Sequence, residues 1–546
     1  MASSCAGAQS LPAVSAQSLP DAGRILQEMP IPQQQLPASV DVDVDSPAIK
    51  THEKVGGAKV RLNAVSFKGA GKFTDDVLQD LVASSLGKAL DLDELRELGR
   101  KVTVFYRDHG YPFARAYLPA QRMAGGKLII EVIEGQYGKV AATAGEDAKL
   151  AEQAQPFLSS LKTGDVIESA PLERAVLTLS DLPGVAVRPV IRPGEQVGTG
   201  DLNVQTTRTK SVEGKVTLDN YGNRYSGRNR LTVQGNWNSP FMLGDQLNVA
   251  VMATDEKLYF GSIGYSLPLG TSGLRGDVGF AKSSYELGQE FAVLGATGTA
   301  QVSTVGLSYP ILRSNKANVL IAAHYQHKDL VDEYTSLNIR NEKSSNSVPI
   351  ALQFDVRDSL LGGGITYGGV TLTAGEVSLD TPSLREQDDV TARTAGSFTK
   401  LNMDLARLQA LPGNFNLFGR VLGQWTKSNL DSSERFSLGG IDGVRAYPLG
   451  EGSGDQGVLA QVELRYNAGM FTPYAFWDTG KVKINRNPWT SGENHRSLSG
   501  GGVGVRFQNG NLLLDGVAAW RHHGGAAQTD TRQSQPQFWL KMAYQF

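Results

Sequence analysis

The chain has 546 residues, a length that predicts two or more domains rather than a single core. Its 53 Lys and Arg residues against 55 Asp and Glu residues give a formal net charge of −2, which argues against a broad nucleic-acid-binding surface. A single cysteine, Cys5, excludes an internal disulfide and a thiolate metal cluster. No apolar run approaches the roughly eighteen residues that a membrane helix needs, so a membrane-spanning form has to be a closed barrel.

Residues 1–17 are interpreted as the remnant of a signal peptide followed by a flexible N-terminus. The small residues Ala6, Gly7 and Ala8 fit a cleavage site. The serines before Cys5 leave a second interpretation open, a lipoprotein box.

Residues 18–29 predict one short helix, with Ser18 in position to cap it and Pro20 tolerated in its first turn. Residues 30–57 are polar, contain several prolines and lack apolar periodicity. This composition predicts a linker.

Residues 58–136 predict a folded module. After a first strand come two amphipathic helices, the second opened by the capping pair Asp91 and Glu94 and ended by Gly110. Two strands complete the order β-α-α-β-β. The same order recurs in 137–210, which predicts a second module of the same kind.

From residue 211 to 546 the hydrophobic period is two. Segments of about ten residues alternate apolar and polar side chains between turn residues, a pattern typical of outer-membrane barrel strands. A soluble β-sandwich also alternates and is the alternative, although one of this length would be unusually large. The final segment has the clearest barrel pattern, with one apolar face that ends on an aromatic residue: Phe538, Leu540, Met542, Tyr544 and Phe546.

Two such modules followed by a strand-rich domain resemble the polypeptide-transport-associated (POTRA) plus barrel superfamily of outer-membrane transporters. In the first module, five residues look like the family pattern for the last helix and the paired strands: Tyr106, Gly110, Tyr111, Glu134 and Gly135. The stretches 20–23 (PDAG) and 219–222 (DNYG) are similar to the haemolysin and haemagglutinin secretion/activation branch, the TpsB transporters of two-partner (type V) secretion.

The resemblance implies a mainly β fold. The expected architecture is a transmembrane antiparallel barrel of 16 strands over 211–546, preceded by POTRA 1 (58–136), POTRA 2 (137–210) and a plug helix (18–29) that closes the pore at rest.

Two motifs of the barrel domain also resemble the family. Residues Val444, Arg445, Ala446 and Tyr447 look like its Val-Arg-Gly-Tyr/Phe motif, at the tip of a long loop that folds back into the lumen. This resemblance implies that the motif latches the loop inside the barrel. Alanine at the third position fits poorly at positive φ, which predicts an ordinary backbone conformation there.

The second motif, Phe476, Asp478 and Gly480, is similar to the family's Phe-x-Asp-x-Gly strand motif. Alternate residues of a strand share a face, and a charge facing lipid costs about 2–4 kcal/mol, so Asp478 is expected to face the lumen. A planar, bidentate pair with Arg445 is then expected. The alternative is that Arg445 is a solvated loop charge.

Other candidate chemistry finds little support. The spacings of His324 with His327 and of His522 with His523 place each pair on opposite faces of a strand, so no metal site is predicted. No esterase elbow or phosphate loop is present, and neither catalytic residues nor a cofactor is predicted. Gly500–Gly504 is expected to let strands curve or pass a bulky neighbour, and Asp388 with Asp389 is expected to be solvated.

The function that the resemblance implies is export, not enzymatic catalysis. The protein is expected in the outer membrane of a Gram-negative bacterium as a monomeric, porin-like barrel in lipid, with its POTRA domains in the periplasm. These would capture the secretion domain of a large unfolded TpsA-type exoprotein by strand addition, and the barrel would export it without nucleotide hydrolysis. The alternative is an insertase that folds other barrels; two modules and a leading helix favour the transporter.

Overall fold

The computed structural model describes residues 20–29, 43–44 and 57–546. They form two compact units, one with the N-terminal helix and the barrel, the other with the two modules. The predicted signal-peptide remnant, the lipoprotein box and the Ser18 cap lie outside the described residues. Within them, no helix is long and apolar enough to cross a membrane.

The N-terminal helix is shorter than predicted. Helix α1 spans Ala22–Gln27 rather than 18–29, and its N-cap is Asp21, whose carboxylate accepts from the backbone N–H of Arg24 at 2.8 Å. The backbone of Asp21 is extended (φ −123°, ψ 173°), so the helix begins after it. The predicted linker also contributes a short strand, β1 (Asp43–Val44), because backbone pairing requires no apolar periodicity.

Module 1 has the predicted β-α-α-β-β order around one apolar core. A capping box between Asp91 and Glu94 opens its long helix, and Gly110, at φ +90°, follows the helix end. The sheet order is β3-β6-β5, which leaves β5 at an edge. The elements are β2 (Val60–Arg61), β3 (Ala64–Lys68), α2 (Asp75–Val82), β4 (Ala89–Leu90), α3 (Leu92–Asp108), β5 (Arg115–Tyr117) and β6 (Lys127–Ile133).

Module 2 repeats this order. Its sheet has the order β1-β8-β9-β7, in which β1 runs parallel to β8 through Val190 and Ile191. The segment predicted as a linker therefore covers part of the β8 edge. The elements are β7 (Gln136–Thr143), α4 (Ala148–Ala154), α5 (Ser169–Ser180), β8 (Val185–Pro193) and β9 (Thr199–Arg208).

The barrel closes with 16 antiparallel strands, which confirms the predicted architecture. The first strand pairs with the last, Lys215–Asp219 against Lys541–Gln545. The strands of its wall are β10 (Val212–Asp219), β11 (Arg230–Asn238), β12 (Gln246–Thr254), β13 (Tyr259–Pro268), β14 (Arg275–Glu286), β15 (Ala296–Arg313), β16 (Ala317–Tyr334), β17 (Ile339–Asp358), β18 (Gly364–Leu379), β19 (Gly396–Ala410), β20 (Phe415–Thr426), then, after two short strands that lie outside the wall, β21 (Phe436–Ser437) and β22 (Ser453–Gly454), β23 (Gln456–Tyr466), β24 (Phe471–Lys483), β25 (His495–Asn509), β26 (Leu512–His523) and β27 (Gln537–Gln545).

The outer face of the barrel is apolar. In the last strand Leu540 is 61% exposed, whereas its inward neighbour Trp539 is 1% exposed. A closed wall with an apolar outside excludes the sandwich alternative, because a sandwich buries its apolar faces against each other. The C-terminal residues on this outer face are Phe538, Leu540, Met542, Tyr544 and Phe546.

The prediction that Asp388 is solvated is wrong. It lies at the end of helix α6 (Pro382–Asp389) and is buried, where its carboxylate accepts from the backbone N–H groups of Thr394 and Ala395, each at 2.9 Å. These donors replace water around the charge. The sequence pattern did not reveal them because the chain turns back on itself after the helix.

The long segment between β20 and β23, residues 427–455, is named the inward loop. Its two limbs pair as β21 and β22, with Phe436 opposite Gly454 and Ser437 opposite Ser453. A narrow neck therefore carries the tip of the loop, which contains the Val444–Tyr447 motif, into the barrel.

Candidate functional site

The tip of the inward loop is buried inside the barrel. Val444 and Tyr447 are 0% exposed, and both pack in one apolar cluster with Phe476 and Trp539 of the wall. On the strand that carries the second motif, Phe476 and Asp478 face inward, while Trp477 between them is 46% exposed on the outside. Loop tip and strand motif therefore meet in the lumen.

Arg445 forms a bidentate ion pair with Asp478. Its Nε lies 2.8 Å from Oδ2, and its Nη2 lies 2.7 Å from Oδ1. The backbone N–H of Arg445 donates to the same carboxylate at 3.1 Å. The two residues are 3% and 0% exposed, so the interpretation of Arg445 as a solvated loop charge is wrong.

A second carboxylate, Glu463 on β23, also contacts this arginine. Nη1 of Arg445 donates to Glu463, and the guanidinium carbon stacks 3.6 Å from the centroid of the Phe476 ring. Planar stacking and a fork of donors are properties of arginine that lysine lacks. The loop tip is thus held by two carboxylates and an aromatic face.

Sequence reasoning missed Glu463. Two further arginines also contact its carboxylate, Arg465 at 2.6 Å and Arg506 at 3.5 Å. The sequence did contain a signal, because Glu463 lies between the apolar residues Val462 and Leu464, and alternation places it on the opposite, lumen face. The structure agrees, since Val462 and Leu464 are exposed on the outer face. Only the strand register, which places Glu463 opposite Phe476, shows which inward carboxylate meets the loop.

The wall beneath the loop tip is built from glycine. A Cβ at Gly500 would lie 2.4 Å from the Cβ of Ala446, and one at Gly502 would lie 2.6 Å from the Phe476 ring. The glycine run therefore provides room for bulky neighbours, as one of its two expected roles required. Ala446 does not have a positive φ, so its backbone conformation is an ordinary one, as the sequence predicted.

The third residue of the strand motif, Gly480, makes room for the inward loop. A Cβ at Gly480 would lie 2.6 Å from the Leu438 side chain of the loop.

The last two strands and the loop between them also hold the tip of the inward loop through hydrogen bonds. Trp539 donates its indole N–H to the backbone oxygen of Arg445 at 2.7 Å. The hydroxyl of Tyr447 donates to the backbone oxygens of His523 and Gly525 at 2.9 and 3.1 Å. The inward face of the C-terminal strand thus belongs to the site. The residues predicted as the C-terminal barrel signal lie on the outer face of that strand and are not part of the site.

The first limb of the inward loop is held on another part of the wall by lysines. Lys343 lies 2.7 Å from Asp431, and Lys400 lies 2.8 Å from Glu434, which Lys328 also contacts. Each side chain is at most partly exposed to water. The loop is therefore attached to the wall at its tip and along its first limb.

Helix α1 lies inside the barrel against this loop. Gln27 donates to the backbone oxygens of Ser432 and Arg435 at 3.0 and 2.9 Å, and Arg24 donates to that of Gly450 at 2.9 Å. The backbone N–H of Ala22 donates to Asp332 of the wall at 2.8 Å. The helix therefore contacts both limbs of the loop and the wall.

Apolar contacts complete the seat of α1. Ala22, Ile25 and Met29 are buried in a cluster with Tyr225 and Phe291, among other residues of the wall and its loops. Gly23 lies so close to the loop that a Cβ would be 2.4 Å from the hydroxyl oxygen of Ser432. The short helix is held by shape and by hydrogen bonds to backbone groups.

The POTRA signature residues meet within module 1, separately from the barrel site. One oxygen of Glu134 accepts from the backbone N–H groups of Gly71 and Lys72, each at 2.7 Å, and from the hydroxyl of Tyr106 at 3.0 Å. Burial and this carboxylate raise the pKa of the Tyr106 phenol. Gly135 has φ +77°, and a Cβ there would lie 2.8 Å from Phe113. The ring of Tyr111, the other aromatic residue of the signature, packs against the ring of Tyr106, with 5.8 Å between the two centroids.

We expect Glu134→Gln to destabilise module 1 by about 1–3 kcal/mol, because an amide cannot accept as well from three donors and leaves them poorly paired. Hydrogen exchange of the full-length protein should show faster exchange at Gly71 and Lys72, with the barrel strands unaffected. Glu131→Gln is the control, since Glu131 lies on β6 just before Glu134. Equal protection of Gly71 and Lys72 in the two variants would contradict this role.

Comparison with known proteins supports the family resemblance that the sequence motifs indicated. Residues 198–507 match the family described as haemolysin secretion/activation protein ShlB/FhaC/HecB, and residues 60–135 match the ShlB-type POTRA domain. The chain is 26% identical over 483 residues to the heme/hemopexin transporter protein HuxB of Haemophilus influenzae, covering 86% of this chain and 84% of HuxB. It is 23% identical to the outer membrane transporter CdiB of Dickeya dadantii, covering 81% and 79% of the two chains.

Solved structures share the fold. CdiB from Escherichia coli superposes with a TM-score of 0.70 at 20% identity, covering 92% of this chain and 93% of CdiB. BamA from Haemophilus ducreyi lacking POTRA domains 1–3 superposes with a TM-score of 0.52 at 13% identity, covering 89% and 100%. The family match spans more than half of the sequence. The chain therefore belongs to the haemolysin secretion/activation family ShlB/FhaC/HecB, the outer-membrane transporters that export a partner exoprotein in two-partner secretion.

Proposed function

We propose that this transporter is closed at rest by α1 and the inward loop together, and that it exports one large, unfolded exoprotein once α1 has left the lumen. The observation that carries the proposal is the position of α1, which donates hydrogen bonds to both limbs of the loop inside a closed barrel. Side chains and backbone of the helix fill space that a passing chain would need.

Arg445 acts in this proposal as the latch of the loop. It connects the tip to Asp478 and Glu463 on adjacent strands of the wall. Removing the partner of a buried charge destabilises the fold by about 3–5 kcal/mol. The loop tip therefore stays bound to the wall when α1 leaves the lumen. The residues of the latch are Val444, Arg445, Ala446, Tyr447, Phe476, Asp478 and Gly480.

Cargo capture is assigned to the periplasmic modules. Strand β5 lies at an edge of the module 1 sheet, and an edge strand presents backbone N–H and C=O groups to an added strand. Backbone bonds of this kind tolerate varied side chains, which suits an unfolded secretion domain. Transport then needs no chemical step and no nucleotide, since folding of the cargo outside the cell biases its motion. The barrel works as a monomer in outer-membrane lipid.

The insertase alternative shares the barrel fold, as the likeness to BamA shows. The family match favours the transporter, and the position of α1 points the same way, since the helix fills the lumen that a transporter must open and close.

A comparison of two proteomes tests the function. Outer membranes and culture supernatants are analysed from cells with and without this protein. We expect the loss of one large secreted or surface protein, with all other barrels unchanged. General depletion of barrels would overturn the proposal and support an insertase.

A further inference from the structure

A second buried carboxylate of the inward loop, Glu451, contacts a different part of the barrel from Arg445. Glu451 is 0% exposed. Its Oε2 accepts from the backbone N–H groups of Gln528 and Thr529 at 2.8 and 2.9 Å, and from the Thr529 hydroxyl at 2.9 Å. Its Oε1 accepts from Arg496 Nη2 and Nε at 2.7 and 3.2 Å. All five donors belong to the wall and its last loop.

The last loop, residues 524–536 between β26 and β27, is held by the same arginine. Arg496 donates to the backbone oxygens of Gly524 and Ala526 at 2.7 and 2.9 Å. Glu451 and Arg496 together therefore connect the inward loop, strand β25 and the last loop in one partly buried cluster. Charge-assisted bonds of this kind are stronger than neutral ones.

The backbone of Glu451 closes the neck of the inward loop. Its carbonyl oxygen accepts from the N–H groups of Leu438 and Gly439 at 3.1 and 2.8 Å. The preceding residue, Gly450, supplies the carbonyl oxygen that Arg24 of α1 contacts at 2.9 Å. Any shift of Glu451 thus moves an acceptor of the plug helix.

We infer that Glu451 is a positioning residue, which anchors the neck of the inward loop to the last loop and thereby holds the Gly450 acceptor in place for α1. This anchor is distinct from the Arg445 ion pairs of the latch, because those pairs hold the tip on β23 and β24, whereas Glu451 holds the neck on β25 and residues 524–536. The Tyr447 hydroxyl of the tip also donates to Gly525 of that last loop. The effect of Glu451 on channel closure rests on the proposed closing role of α1.

The test replaces Glu451 with Gln, whose amide cannot accept from all five donors. Glu493→Gln is the matched control, since Glu493 is exposed in the neighbouring loop. Two quantities are measured on the full chain in a Cys5→Ser background: the mobility of a nitroxide attached at the exposed position Ala526, and the open fraction of single channels in phosphatidylcholine bilayers. Heat-modified gel migration reports the folded fraction of the barrel.

We expect Glu451→Gln to sharpen the nitroxide spectrum and to raise the open fraction about tenfold, the factor for one lost charge-assisted bond, with the folded fraction unchanged. Sharpening without a change in open fraction would support the anchor and overturn its effect on α1 through Gly450. An unchanged spectrum would overturn the anchor. If Glu451→Gln does not fold, Thr529→Val, which removes a single donor, carries the same two measurements with a smaller expected effect.

Discussion

Replacing Arg445 with alanine is expected to abolish secretion while the barrel still inserts into the outer membrane. The substitution leaves Asp478 and Glu463 buried without their common partner, at a cost of about 3–5 kcal/mol, and the loop tip loses its stacking on Phe476. The barrel itself is held by its strand ladder, which the substitution does not touch. Secreted cargo is measured in the supernatant, and folded barrel in outer-membrane fractions.

Arg420→Ala is the matched control. Arg420 forms an equally bidentate pair with Asp404 on the barrel wall, at 2.9 and 2.6 Å, and Asp442 of the inward loop adds only electrostatic attraction to it. We expect the control to secrete at close to the parental level. Equal loss of secretion in both variants would show that any bidentate pair of the wall is required, which would contradict a specific latch.

A charge swap between Arg445 and Asp478 is a poor test of direct pairing. The swap would place a new carboxylate at position 445 against Glu463, which already lies in contact with that position. Failure of the swapped variant would therefore follow from like-charge repulsion. A cycle of Arg445→Met and Asp478→Asn avoids this; for a direct pair, the double variant should be no worse than the more defective single one.

The second large effect is expected from Gly23→Ala in the plug helix. A Cβ at this position would lie 2.4 Å from the Ser432 hydroxyl oxygen and 2.7 Å from the backbone nitrogen of Ser433. Since a backbone atom cannot rotate away, the helix must shift from its seat, at a cost of about 1–3 kcal/mol. The open fraction of single channels in planar bilayers should rise about tenfold or more.

Gly235→Ala serves as the control for Gly23→Ala, because an ideal Cβ at Gly235 of the barrel wall meets nothing within 4 Å. The control channels should stay closed as often as those of the parent. Deletion of residues 20–29 gives the upper limit of opening. A Gly23→Ala channel that closes like the parent would show that α1 does not control the pore.

Local patterns in the sequence were sufficient for most of the fold. Period-two alternation predicts the barrel strands, because one face of each strand meets lipid. The capping box of Asp91 and Glu94 begins α3 at the predicted position. The start of α1 was misplaced because Asp21 takes the extended conformation of a cap. The strand at Asp43–Val44 was not predicted, since its partner lies far along the chain.

The site divides in the same way. Alternation along the strand predicted that Asp478 faces inward, because alternation is a local property, and the family resemblance placed Arg445 at the tip of a long loop. The folded structure was needed to show that Glu463 shares this arginine, that Glu451 accepts from Thr529, and that Gly23 packs against Ser432. Strand register and the path of a folded-back loop bring distant residues together, and neither is encoded by the spacing of residues along one strand.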